Sequence, residues 1–257
     1  MAGSRSRWSP LERELRQAGI RLIAGVDEVG RGPLAGPVVA CAVIMPPDAR
    51  AIAGVADSKR LTALERTRLA VQIRRRALAL GLGAASVREI DRVNIYHATV
   101  LAMRRALARL AVAPEHVLVD GRPIRTLPLA HTAVVGGDAC CYSVACASIV
   151  AKVTRDRLMT ALAARYPAYG WQRNAGYGTA EHQRALRDAG LSPHHRLSFA
   201  PVGQLALDLA FPAVAPEEEG ASAGGAGPCV ALPDASIGLA SEPADPPPPL
   251  LPPEPCP

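Results

Sequence analysis

The sequence predicts an α/β protein, a mixed sheet in one domain, and three observations carry that expectation. Two apolar runs of strand length, RLIAGVD (21–27) and PVVACAVIM (37–45), follow one another closely, as the arms of a hairpin do. Two later runs, EHVLVD (115–120) and HTAVVG (131–136), come after stretches with helical periodicity, the pattern of a sheet with helices packed on it. A length of 257 residues is enough to bury a sizeable core.

Taken in order, Ser9-Pro10 reads as an N-cap and a first-turn proline opening the short helix LERELRQAG, which ends at Gly19. RLIAGVD and PVVACAVIM supply the first two strands. TALERTRLAVQIRRRALAL, residues 62–80, is a predicted helix with Thr62 as N-cap and Glu65 three residues on, the spacing of a capping box. GLGAASV (81–87) is expected as a third strand, and IYHATVLAMRRALARLA (95–111) as a helix leading into strands four and five. SVACASIVAKVTRDRLMTALAAR predicts a long helix over 143–165, and TAEHQRALRDAG a shorter one over 179–190 that stops at its glycine. No internal repeat is visible.

Residues 213–257 read differently. They hold seven of the 23 acidic residues, no Lys or Arg, and Pro/Gly/Ala-rich stretches such as PADPPPPLLPPEPCP, so they are expected to form a disordered tail. Residues 1–20 are expected as an N-terminal helical extension and 21–212 as the globular domain. With the tail set aside, all 29 basic residues face 16 acidic ones, a surplus that suggests a polyanionic partner such as nucleic acid. A solvated, arginine-rich surface explains the same surplus, since Lys occurs only at 59 and 152. The longest unbroken apolar run, VVACAVIM at 38–45, is far short of a membrane span, and the N-terminus does not read as a signal peptide, so a cytoplasmic location away from membranes is expected. The six cysteines (41, 140, 141, 146, 229 and 256) show no CxxC pair, which argues against a zinc site or a disulfide framework.

The chemistry is carried by carboxylates. Three times an apolar run stops at, or a glycine or two before, an aspartate: LIAGVDE, HVLVDG and AVVGGDA, giving Asp27, Asp120 and Asp138, with Glu28 beside the first. One such aspartate reads as a turn residue, as Asp-Gly at 120–121 commonly is. Several acids at neighbouring strand ends repel one another unless a cation neutralises them, so a metal site is the stronger reading. All-oxygen ligands favour a hard cation, Mg²⁺ or Mn²⁺, over zinc. Two such ions about 4 Å apart activate a water and stabilise the leaving oxygen of a phosphodiester. Adjacent strand residues point to opposite faces, so Asp27 and Glu28 are expected to share a site through a turn or bulge, which Gly30 and Gly32 would permit. A dinucleotide-binding loop is the competing reading of this stretch. It fails because the spacing is Gly30-x-Gly32-x-x-x-Gly36 and a β-rich run follows instead of a helix.

At these residues the sequence resembles bacterial ribonuclease HII. GVDEVGRGPLAGPVVACAVI, DSKRL (57–61), LVDG (118–121), GGDA (136–139), ASIVAKVTRDRLM (147–159), GYGT (176–179) and HHRLSFAPV (194–202) carry the likeness in order, from about residue 21 to 207. The resemblance implies a ribonuclease H-like fold, a mixed five-stranded sheet flanked by helices with further C-terminal helices, and makes 21–212 a type-2 ribonuclease H catalytic domain. It implies cleavage of RNA paired with DNA, and of duplex DNA at a single embedded ribonucleotide, leaving a 3′-hydroxyl and a 5′-phosphate. By the same likeness Asp27, Glu28, Asp120 and Asp138 hold two divalent ions, Mn²⁺ or Mg²⁺. Gly30, Arg31 and Gly32 would read the ribose 2′-hydroxyl, the group that separates RNA from DNA, largely through backbone atoms. Tyr177 would pack on the sugar of the next, deoxy, nucleotide. Ser58, Lys59 and Arg60, with Lys152, Arg155 and Arg196, are candidates for phosphate contacts. On a plainer reading each of these is a surface charge, and Arg155 and Asp156 pair with neighbours along their helix. A monomer is expected.

Several positions depart from the family pattern. Gly136 and Ala175 stand where lysines are usual, Leu197 replaces a common second arginine, and Cys140 and Cys141 occupy positions often basic or hydroxylic. Each departure removes a positive or polar group near the expected cleft and none touches the acids. A protein that holds hybrids without cutting them, and another two-metal nuclease or integrase on the same fold, are the alternatives.

Overall fold

The computed structural model describes residues 8–127 and 129–210; the expected tail over 213–257 lies outside the described residues. Five strands form one mixed sheet: β1 (Ile23–Val29), β2 (Val38–Ile44), β3 (Ala79–Ala85), β4 (His116–Asp120) and β5 (His131–Val134), in the order β3-β2-β1-β4-β5. The first three are antiparallel neighbours, and β4 and β5 run parallel to β1. Among the described residues eight α-helices accompany them: α1 (Pro10–Gln17), α2 (Ala63–Arg76), α3 (Val87–Ala108), α4 (Gly137–Cys140), α5 (Tyr142–Arg165), α6 (Trp171–Asn174), α7 (Ala180–Ala189) and α8 (Ala200–Ala210).

β2 is buried on both faces, which is why its sequence reads as an unbroken apolar run. Val38, Ala40, Ala42 and Ile44 join Ala24, Val26, Val117 and Val119 in the core beneath α3. Cys41 and Val43 face the other way, into the core formed with Leu69, Ala70 and Ile73 of α2 and the small residues of α5. Two capping boxes start helices as the sequence predicts or allows: Ser9 with Glu12 for α1 and Thr62 with Glu65 for α2. A third, Ser86 with Glu89, opens α3 and lies upstream of the predicted start.

Two boundaries differ from expectation for identifiable reasons. The helix expected over 62–80 ends at Arg76, because residues from Ala79 onward pair with β2 in the register Ile44↔Ala79; strand pairing outweighs local helical periodicity. The helix expected from 95 begins at Val87 and is kinked at Asn94, which has φ 66°. The Asn94 side-chain oxygen accepts from the amides of Tyr96 (2.9 Å) and His97 (3.2 Å), so it caps the second half of α3 at the predicted position. The short α4 and α6 carry no periodicity that a sequence reading could register.

α1 is tied to the sheet by a buried carboxylate. Glu12 is fully buried, and besides its capping bond to the Ser9 amide it accepts from the amides of Tyr142 (3.1 Å) and Ser143 (2.8 Å). These are first-turn donors of α5 that have no partner within the helix, and a negative charge there also complements the helix dipole.

The C-terminal helices pack around Trp171, Tyr169, Met159 and Leu186. At their centre two buried histidines form a network whose proton positions are determined. His182 Nδ1 faces the Tyr177 carbonyl (2.9 Å) and so carries the hydrogen; its Nε2 accepts from the Trp171 indole (3.1 Å). His195 Nδ1 accepts from the Ser192 amide (2.8 Å), so its Nε2 donates to His182 Nε2 (3.0 Å). Both rings are neutral in this arrangement. Burial, with His182 alongside, pushes His195 down to about 4, and burial also lowers His182. The unfolded chain, with imidazoles near pKa 6.5, therefore binds more protons in acid, and stability falls as pH drops from about 6.5 toward 4. The expected loss is on the order of 3 kcal/mol for His195. Urea unfolding at pH 7.5 and 4.5 checks it: the wild type loses this much more than His195→Gln, and equal losses would contradict the neutral network.

Candidate active site

The site lies where β1 and β4 end. The parallel register Val26↔Val119 sets Asp27 beside Asp120. By strand alternation Asp27 shares the α5 face with Gly25, while Glu28 shares the α3 face with Val26. The expectation that a turn or bulge joins them is corrected here. β1 stays regular through Val29, paired with Val39, and the chain turns only afterwards at Gly30, with φ 94°. The two acids share a cleft because β4 stops at Asp120, so the last residues of β1 are free on that flank and side chains from both faces reach it.

A cleft of about 520 Å³ is lined by Asp27, Glu28, Asp120 and Asp138, and also by Gly30, Arg31, Gly32, Ser58, Lys59, Lys152 and Tyr177. Glu28, Arg31 and Asp120 also border a second hollow of about 400 Å³ on the α3 side, beside Tyr96 and Arg122. Asp138 enters from α4, and the Asp120 carboxylate accepts from the Gly137 amide at 2.7 Å, which ties α4 to the end of β4.

The acids are buried and under electrostatic pressure. Burial, then the neighbouring Glu28 charge, holds Asp27 well above the usual carboxylate range, against a hydrogen bond from Ser148. Burial also raises Glu28, offset in part by Arg31, whose Nη1 lies 3.1 Å from Glu28 Oε1. The other oxygen, Oε2, is buried without a hydrogen-bond partner. Lys59 Nζ lies 3.3 Å from Asp138 Oδ2, and that carboxylate raises the lysine's pKa. Among the described residues no three acid, imidazole or thiol groups are gathered to hold one ion, and Arg31 and Lys59 supply the counter-charge. An all-oxygen donor set with a bare buried carboxylate oxygen nonetheless fits a hard divalent cation.

Tyr177 is half exposed, and its ring faces Gly32, where a Cβ would lie 3.6 Å from Cε1. Its backbone is held by Asn174 and His182. Lys152 lines the cleft while pairing with Asp156 at 2.7 Å, and Ser58 Oγ bonds Ser148 Oγ at 2.9 Å.

Two of the expected phosphate contacts are corrected. Arg196 and Arg155 have no exposed surface, and their guanidiniums donate to backbone carbonyls, so neither can meet a phosphate. Arg60 is exposed but is not among the residues lining the cleft. Sequence reasoning missed Ser148 and Arg66, which also line it. Arg66 Nη1 donates to the carbonyls of Ser58 (2.9 Å) and Leu61 (2.5 Å) and so fixes the turn that carries Lys59. Nothing in the sequence distinguishes it from the other arginines of α2. The cysteines at 41 and 146 are buried core residues, and Cys140 and Cys141 are free thiols 4.0 Å apart.

Such a sheet, with carboxylates gathered at the ends of its central parallel strands, defines a ribonuclease H-like protein. A family model described as Ribonuclease HII matches residues 24–202. The Ribonuclease HII of Thermosynechococcus vestitus is 58% identical over 185 residues, 71% of this chain and 86% of the relative. That of Granulibacter bethesdensis is 54% identical over 200 residues, 76% and 91% of the two. The crystal structure of the ribonuclease H2 from Pyrococcus horikoshii OT3 matches with a TM-score of 0.62 at 25% identity, over 73% of this chain and 98% of that one. Bst-RNase HIII in complex with Mn²⁺ matches with a TM-score of 0.58 at 20% identity, over 79% and 74%, a likeness of fold alone. The chain belongs to the ribonuclease HII family. It is a metal-dependent endonuclease of the ribonuclease H type that acts on RNA–DNA hybrids and leaves a 5′-phosphate. None of its described helices is long and apolar enough to cross a membrane.

Proposed function

We propose that this enzyme, besides cutting the RNA strand of hybrids, incises duplex DNA on the 5′ side of a single embedded ribonucleotide, leaving a 3′-hydroxyl and a 5′-phosphate. The observation that carries the reading is the meeting of two features in one cleft: four acids from β1, β4 and α4, and the Gly30-Arg31-Gly32 turn with Tyr177 opposite. Asp27, Glu28, Asp120 and Asp138 would hold two divalent ions, Mn²⁺ or Mg²⁺. Such ions, when bound, activate a water and stabilise the leaving oxygen.

The chain's own residues do the rest. Burial raises the pKa of Asp27 and Glu28, and a cation beside them would favour their charged, ligating forms. The Gly30–Gly32 turn presents backbone to the ribose, and the Tyr177 ring packs the following sugar. Lys59 and Lys152, with Ser58 beneath them, border the path of the phosphates and set register on the duplex. The enzyme works as a monomer in the cytoplasm.

The test is a labelled duplex with one ribonucleotide in otherwise all-DNA strands, in Mn²⁺ or Mg²⁺. One nick is expected, 5′ of the ribonucleotide, with no cutting of the all-DNA control. Protein that binds this duplex and leaves it intact, while still cutting long hybrids, would confine the activity to RNA tracts.

A further inference from the structure

Arg155 and Arg196 are among the largest fully buried side chains of the molecule. Buried cations ordinarily sit on carboxylates. Here every hydrogen bond of both guanidiniums goes to a backbone carbonyl. Arg155 donates to Pro37 (3.0 Å), Ala175 (3.0 Å) and Ala35 (3.1 Å). Arg196 donates to Gly36 from Nε (3.0 Å) and Nη2 (2.7 Å), to Arg31 from Nη1 (2.8 Å) and to Gly30 from Nη2 (2.5 Å). Burial, with Arg155 alongside, lowers Arg196 to about 9, so it stays charged at neutral pH.

All of the bonded carbonyls except that of Ala175 belong to the segment that leaves β1, between residues 30 and 37. In a trans peptide the C=O and the N–H point in opposite directions, and no described peptide bond is cis. Drawing the Gly30 and Arg31 carbonyls back onto Arg196 therefore turns the N–H groups of Arg31 and Gly32 the other way. Both residues are exposed and line the cleft, and neither N–H has a protein acceptor among the described residues. A cation on the carbonyl side also polarises each peptide and strengthens its N–H as a donor.

We propose that Arg196 is a positioning residue for ribose selection: from behind the turn it aims the Arg31 and Gly32 amide hydrogens at the 2′-hydroxyl oxygen. This rests on the proposed reading of the ribose by that turn. Arg155 adds registration. It holds Ala35 and Pro37 and ties them to Ala175, two residues before Tyr177, so the ribose turn and the tyrosine loop move as one piece. A lysine at 196 keeps the charge but lacks the planar fork that reaches three carbonyls at once.

The experiment compares KM for the single-ribonucleotide duplex with Ki for an all-DNA duplex as competitor, in wild type and Arg196→Lys. The expected result is a KM raised about tenfold, the effect of one or two ordinary hydrogen bonds, with Ki unchanged. A merely structural role moves both constants together, so an unchanged ratio of Ki to KM in folded Arg196→Lys overturns the proposal. If wild type itself shows no preference for the ribonucleotide duplex, the underlying reading of the turn fails instead. Should Arg196→Lys not fold, the amide ¹H–¹⁵N signals of Arg31 and Gly32 in wild type, titrated in chelator with each duplex, decide. Shifts with the ribonucleotide duplex alone support the proposal, and equal shifts with both reject it.

Discussion

Asp27→Asn is expected to abolish cleavage while making the metal-free protein more stable. The carboxylate lies buried beside Glu28 and Asp120, and its pKa is raised in the folded state. A carboxyl with a raised folded pKa contributes stability below its unfolded pKa and loses it as pH rises through the folded value, so at neutral pH the charged form is a burden on the fold. Asparagine has the same shape without the charge. It also cannot replace a charged oxygen ligand, and cation stabilisation of the reacting phosphate is worth several kcal/mol, so activity should fall by about 10³-fold or more. Nicking assays in Mg²⁺ and thermal unfolding in chelator measure the two effects separately. Full residual activity would remove Asp27 from the site.

Gly25→Ala should be among the most damaging small changes in the sheet, with those at Gly81 and Gly83, whose added Cβ would meet the backbone of α3. A Cβ built at Gly25 lands on the backbone of Ser143 and Val144 at the start of α5, where no side-chain rotation can relieve it. Overpacking of this kind costs about 1–3 kcal/mol, and the upper end or beyond applies when the obstacle is main chain. The displaced helix carries Ser148, which bonds toward Asp27, and follows directly on α4 with Asp138. Activity should therefore fall in step with stability. Urea unfolding with a parallel nicking assay checks this; a variant as stable as wild type would mean that β1 and α5 are less tightly apposed than described.

The sheet and most helices were legible because their signals are local. β2 is apolar throughout, Thr62 and Glu65 bracket a helix start, and three aspartates end apolar runs. What escaped was set by distant partners. The tail of the 62–80 segment is helical by periodicity and becomes strand only because β2 offers an edge to pair with. The acids and the glycine-arginine turn could be placed at one site from their types and order. The functions of the arginines could not be separated, since Arg31, Arg66, Arg155 and Arg196 look alike in sequence and differ only in what surrounds them. Burial assigns Arg155 and Arg196 to the interior, and the lining of the cleft brings in Arg66.

The Glu12 carboxylate gives the amino end a weight that the family match, beginning at residue 24, does not convey. A version trimmed to the first strand would strip the opening turn of α5 of the Glu12 clamp and leave the amides of Tyr142 and Ser143 bare in an apolar setting. That turn begins four residues after Asp138. A boundary drawn by similarity alone would thus cut through the support of the candidate site, and any shortened enzyme should keep Ser9 as its outer limit.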